Sequence, residues 1–142
     1  MLPLKGSARR EFALIFLITA IPVIPMVVLG YHQAHDLETH VQSWMDASAQ
    51  MRHGILFPRW ASEANYGFGE PRFIFYPPVS WMLGAILGLF LPWKIVPAVF
   101  VWLTLVLAAV SMRTLSRDRL PSGAALFAGL LYALNPYMLV CA

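Results

Sequence analysis

Two carboxylates, Asp36 and Glu38, stand two residues apart in a D-x-E arrangement, in a chain with only seven acidic residues. At a membrane surface such a pair can take a proton from an acceptor group, or hold a divalent ion through hard oxygen ligands. The same two residues also suit a purely structural role. Asp36 is a natural helix N-cap, and Glu38 then falls in a first turn, where the helix dipole favours negative charge. Both acids belong to the stretch 35–78, HDLETHVQSWMDASAQMRHGILFPRWASEANYGFGEPRFIFYPP. It holds five of the seven acids and, with His32 just before it, all four histidines. An otherwise oily chain has no packing reason to collect polar groups in one loop, and loops on a rigid scaffold are where chemistry concentrates.

Other chemistries fit this stretch less well. His35-Asp36-Leu37-Glu38-Thr39-His40 matches neither HExxH nor HxxEH, so no zinc site is expected, and His32, His40 and His53 read as polar-face or interfacial residues. Gly67 and Gly69 could be mistaken for a nucleotide loop, but no strand precedes them and no Lys-Ser/Thr follows. They fit a turn, where glycine supplies positive φ.

The elements that must position these residues are helical. From Asp36 the residues Leu37, Val41, Trp44, Met45 and Met51 fall on one stripe, with Thr39, His40, Ser43 and Gln50 largely opposite. A helix over 33–52 lying along the membrane surface is expected, Trp44 on its apolar side. Phe73, Phe75, Tyr76 and Trp81 form an aromatic belt, and Pro77-Pro78 starts the next helix.

The whole chain is 59% hydrophobic and only 12% charged, against roughly a quarter charged in soluble domains. Four apolar runs account for this: 12–29, 79–93, 95–112 and 123–142. The first and third carry no charge and approach the roughly 20 residues that span a bilayer core; 79–93 falls short. The fourth ends the chain with no polar cap after Cys141-Ala142, so a piece of a longer protein is expected. The first run exceeds a signal-peptide core and lacks a small-x-small cleavage site before His32, so it reads as an uncleaved span. Cys141 alone builds neither a disulfide framework nor a metal site, and the net charge of +3 forms no basic cluster for nucleic acid.

Lys5, Arg9 and Arg10 place the N-terminus in the cytoplasm by the positive-inside rule, so residues 30–78 form an outer loop. A conflict follows downstream. With 79–93 and 95–112 both spanning, four basic residues lie inside and six outside; with 79–93 interfacial or re-entrant, six lie inside and three outside. Charge favours the second arrangement, and the Pro92/Lys94/Pro97 break suits either.

The order of motifs resembles a known family. A span with a basic flank is followed by His35-Asp36 and a surface helix with Trp44. Then come Gly54-x-x-x-Pro58-Arg59-Trp60, Tyr66-Gly67-x-Gly69-x-Pro71, Phe75-Tyr76-Pro77-Pro78, and Tyr132 to Pro136-Tyr137 in the last run. This resembles the N-terminal part of 6-pyruvoyl-tetrahydropterin-synthase-related membrane domains, and more broadly the GT-C glycosyltransferases that use lipid-linked sugar donors. The resemblance implies an acid in the first outer loop as base or metal ligand, a place held by Asp36 with Glu38 assisting. It implies arginines on the lipid phosphate, for which Arg59 and Arg72 stand, with His35 and Tyr76 in the matching motifs as further substrate-binding residues. A divalent cation, Mg or Mn, is the cofactor it admits; the partners it implies are membrane lipid and a lipid-linked sugar. The superfamily uses many more spans than four.

The expectation is therefore an all-α integral membrane protein of a bacterial or archaeal plasma membrane. It would have about four hydrophobic helices and a large extracytoplasmic loop containing a juxtamembrane helix. The implied function is sugar transfer from a polyprenyl-phosphate carrier to an extracytoplasmic acceptor. The alternative is a non-catalytic membrane scaffold, or part of a lipid or solute transporter.

Overall fold

The computed structural model describes residues 5–30 and 36–136. Among them every regular element is helical, and the one sheet-like contact is an isolated antiparallel bridge between Ala61 and Glu70. Helix α1 runs Lys5–Ala20, passes through a 3-10 turn at Ile21–Val23 and continues as α2, Ile24–Leu29. The break has an identifiable cause: Pro22 has no N–H to donate and its ring crowds the preceding turn, while Pro25 falls in the first turn of α2, where a missing N–H costs nothing. The remaining helices are α3 (Leu37–Arg52), α4 (Arg72–Phe75), α5 (Pro78–Phe90), α6 (Val96–Ser116) and α7 (Ser122–Ala133).

Among the described residues two helical stretches are long and apolar enough to cross a membrane: Ala8–Leu29, with 22 residues, and Val96–Ser116, with 21. They correspond to the expected runs 12–29 and 95–112. Leu17, Val28, Leu29 and Leu107 stand exposed on them, a surface that water does not favour. The run 79–93 becomes α5, whose 13 residues reach roughly 20 Å at 1.5 Å per residue, against a hydrocarbon core of about 30 Å. Proline 78 opens it, as expected. The run 123–142 contains α7; its last six residues, with Tyr137 and Cys141, lie outside the described residues, as do His32 and His35.

The chain divides into two compact units, Met1–Leu29 with Val101–Ala142, and Gly30–Phe100. In the first, α1, α6 and α7 pack around Ile15, Val106, Ala109 and Ala133. Arg113 of α6 donates from Nε to Glu11 Oε2 of α1 at 2.8 Å, and from Nη2 to the same oxygen. Further along, Trp102 Nε1 donates to the Phe16 carbonyl at 3.2 Å, and the two rings meet edge to face at 5.4 Å. Residue 11 thus pairs with 113 and residue 16 with 102, so α1 and α6 run antiparallel. Ser122, the first residue of α7, donates to Glu11 Oε1. The start of α1, the end of α6 and the start of α7 therefore share one end of this unit.

In the second unit α3 packs on α5. Trp44 is 2% exposed, its ring centroid 4.4 Å from that of Phe100, and a Cβ on Gly84 would overlap the indole. Val41, Ala47, Phe73, Trp81 and Val96 complete this core. α3 ends in a left-handed Gly54 (φ +89°), with Ile55 N donating to Gln50 O at 3.0 Å and Gly54 N to Met51 O at 3.0 Å, a pairing that satisfies its last carbonyls. Arg52 Nη2 donates to the Gly88 carbonyl at 3.0 Å, serving an otherwise open carbonyl near the end of α5.

Three expectations need correction here. The stripe of Leu37, Val41, Trp44 and Met51 faces a protein core built with α5, not a lipid surface, and Met45 is exposed. Ser43, placed opposite the stripe, is buried. Of the aromatic belt, Phe73 and Trp81 lie inside with centroids 4.8 Å apart, while Phe75 and Tyr76 stay exposed.

Candidate functional site

Asp36 occupies the N-cap position of α3, but its side chain makes no capping hydrogen bond; its backbone carbonyl accepts from His40 N at 3.0 Å. The capping role expected of its carboxylate is therefore not what places it there. Glu38 lies in the first turn, and both acids are exposed. His40, one turn on, lies against Trp44 with ring centroids 6.5 Å apart. Two adjacent carboxylates fall short of the oxygen set a divalent cation takes. Among the described residues no three His, Cys, Asp or Glu side chains gather to hold a metal.

The arginines behave differently from one another. Arg59 is exposed and forms no hydrogen bond or ion pair with the described residues. Arg72 is held: its Nε pairs with Glu70, its Nη1 donates to Ser43 Oγ at 2.7 Å and reaches the Thr39 carbonyl at 3.5 Å. Thr39 is three residues past Asp36, so Arg72 lies beside the first turns of α3, within a helical turn of the acids along the backbone. Tyr76 is half exposed. Of the expected site residues, the structure brings Arg72 toward the acid-bearing end of α3 and leaves Arg59 and Tyr76 as surface groups; His35 lies outside the described residues.

A second group of residues was not anticipated. Asp46, 6% exposed, accepts from Gln50 Nε2 at 2.8 Å, one helical turn on. It also accepts from the Glu63 backbone N–H at 3.1 Å. Gln50 Nε2 in turn donates to the Trp60 carbonyl at 2.8 Å. These bonds fold the segment 60–70 onto α3, and the paired bonds Ala61 N to Glu70 O (2.8 Å) and Glu70 N to Ala61 O (3.1 Å) close it. Between them the backbone turns through four positive-φ residues: Asn65 (51°), Tyr66 (59°), Gly67 (86°) and Gly69 (75°). The glycines were expected there. A tyrosine was not, and positive φ in a bulky residue is strained. An open groove of ≈ 660 Å³ lies between α3 and this segment, with Ser43, Asp46, Glu63, Asn65, Tyr66 and Arg72 in its lining. The sequence signal that could have found it is the Asp46/Gln50 pair, two polar residues one turn apart on the helix.

No family model, curated protein or solved structure matches the chain.

Proposed function

We propose that this chain belongs to a membrane glycosyltransferase that moves a sugar from a polyprenyl-phosphate carrier to an acceptor on the extracytoplasmic side. The observation that carries the reading is connectivity. The segment Gly30–Phe100 is a folded unit entered from one span-length helix and left through another, and it opens with Asp36 and Glu38 seven residues after α2. Antiparallel α1 and α6 return the chain to the membrane on the face it left. A basic N-terminal tail then puts that face outside, and Arg113, Arg117 and Arg119 inside with the tail, which satisfies the positive-inside rule without a crossing by α5.

In the reaction the acceptor hydroxyl attacks the anomeric carbon, and the bond from that carbon to the phosphate oxygen breaks. The polyprenyl phosphate leaves with the electron pair. Asp36 takes the acceptor's proton, with Glu38 beside it and His35 and Tyr76 as further contacts for the substrate. Arg59, which makes no hydrogen bond or ion pair among the described residues, neutralises the leaving phosphate by charge-assisted hydrogen bonds. Arg72, tied to Glu70 and Ser43, acts as a second, positioned cation.

The test is donor turnover by the full-length protein in lipid nanodiscs, with undecaprenyl-phosphate-glucose and undecaprenyl-phosphate-mannose as donors. Asp36→Asn removes the base without adding bulk, and no capping bond is lost. It should abolish release of polyprenyl phosphate while leaving thermal stability unchanged. Turnover within a few-fold of wild type in the variant would sink the assignment, as would consumption of neither donor by the wild-type protein.

A further inference from the structure

We propose that the groove between α3 and the segment 60–72 binds a saccharide, with Tyr66 as its stacking platform. On the glycosyltransferase reading this is the acceptor site; the binding itself is independent of it. A sugar presents two kinds of surface, C–H faces that are weakly apolar and an edge of hydroxyls that both donate and accept. The groove offers a partner for each.

Tyr66 provides the face. Its side chain is fully exposed, at 104% of the reference area, so the ring packs on nothing within the protein. It is nevertheless held at φ 59°, between Asn65 at 51° and Gly67 at 86°. The turn is braced from both sides: Gly69 N and Gly67 N donate to the Ala64 carbonyl at 2.8 and 3.1 Å, and Phe68 N to Asn65 O at 3.1 Å. Strained backbone that keeps a bare aromatic ring at the rim of a cavity is unexplained by stability, since the ring buries nothing. It is explained by a ligand that lays a C–H face on the negative face of the ring.

The hydroxyl edge would meet planar, bidentate groups. Asp46, Glu63 and Asn65 line the groove with acceptors and an amide, and Arg72 and Ser43 add donors, already joined to each other at 2.7 Å. Asp46 is fixed by Gln50 and by the Glu63 N–H, so it pays little ordering entropy when a ligand arrives. The opposed charges suit a neutral polyhydroxylated ligand better than an ion of either sign. The volume of ≈ 660 Å³ lies within the usual range for small-molecule sites and suits more than one sugar ring. Arg72 is the one residue shared with the proposed donor site; neither Asp36 nor Glu38 lines the groove, so variants at the acid pair and at Tyr66 separate donor chemistry from saccharide binding.

The experiment uses the full-length protein in nanodiscs with no lipid donor present. Maltotetraose, cellotetraose, mannotetraose and chitotetraose are titrated singly, with saturation-transfer NMR on the sugar protons as the readout. At least one should bind saturably. Tyr66→Asn keeps the left-handed backbone, which asparagine tolerates, and removes the ring. It should weaken that binding about threefold to tenfold, the range expected for losing one aromatic contact, with an unchanged melting temperature. Tyr66→Phe should retain it. Saturable binding by none of the four, or equal binding by Tyr66→Asn and wild type, overturns the proposal. Because no donor is present, loss of transfer in Asp36→Asn can stand while saccharide binding fails. Saccharide binding through Tyr66 can likewise stand where no transfer occurs.

Discussion

Arg113 and Glu11 stand 102 residues apart in sequence and join α6 to α1 through two hydrogen bonds to one carboxylate oxygen. Both side chains are nearly buried, 6% and 10% exposed. The carboxylate also accepts from Ser122 and lies 3.9 Å from Arg117, while the Phe12 ring sits 4.8 Å from the Arg113 guanidinium. One acid thus serves three helix ends.

Removing one partner should cost more than removing both. Glu11→Leu alone leaves Arg113 and Arg117 facing each other without the carboxylate, a loss of about 3 kcal/mol for an uncompensated buried charge. Glu11→Leu with Arg113→Met replaces the pair by apolar groups of similar size and should recover most of that loss. Denaturation of the reconstituted protein in a double-mutant cycle measures it. A double variant as unstable as the sum of the two singles would show that the pair contributes no coupling.

On the topology proposed above, the antiparallel arrangement of α1 and α6 puts the turn after α6 on the side of the N-terminus. In a Cys141→Ala background, cysteine at Asp118, in the exposed turn after α6, should resist an impermeant maleimide in intact cells and react once the membrane is opened. Cysteine at Ser62 should react from outside in intact cells. Both positions labelling from the same side would break the inferred topology and the reading that Asp36 faces outward.

What could be read in the sequence is what short-range physics controls. The apolar helix over 12–29, the start of α5 at Pro78 and the apolar stripe of α3 follow from hydrophobic periodicity and proline over a few residues, whereas Asp36 holds the N-cap position of α3 without the side-chain bond that capping preference predicts. Burial on α3 was only half legible, because a two-faced helix predicts one covered face. Ser43 and Asp46 are covered as well, by a segment whose return depends on Gln50 donating to the carbonyl of Trp60 and Asp46 accepting from the N–H of Glu63. The pairing of Glu11 with Arg113, each just outside an apolar run, was not legible in charge counts, and it supports the arrangement in which 79–93 does not cross.

Ser48 offers a gain in stability. It is 1% exposed, and its hydroxyl finds no hydrogen-bond partner among the described residues. A buried unsatisfied hydroxyl costs about 1–3 kcal/mol, and alanine is also the better helix former. Ser48→Ala should therefore raise stability by about 1 kcal/mol and the melting temperature with it. A lower melting temperature would mean that the hydroxyl is satisfied, by water or by residues outside those described.

The same substitution at two glycines of α7 should have opposite signs. At Gly129 an added Cβ would lie 2.5 Å from the Ala109 carbonyl oxygen and 3.1 Å from Arg113 Cβ. The first of these is backbone, which cannot rotate away, so α7 would have to move off α6. Small residues let helices approach this closely, and filling such a position costs about 1–3 kcal/mol. At Gly123, in the first turn, nothing lies within 4 Å of the new methyl group. Alanine there only restricts the unfolded chain and favours the helix, a gain of roughly 0.5 kcal/mol. Thermal unfolding of Gly129→Ala and Gly123→Ala, side by side in one lipid composition, measures the contrast. Two shifts of the same sign would mean that α7 does not pack on α6 through Gly129, and the shared end of α1, α6 and α7 would then rest on the Glu11 network alone.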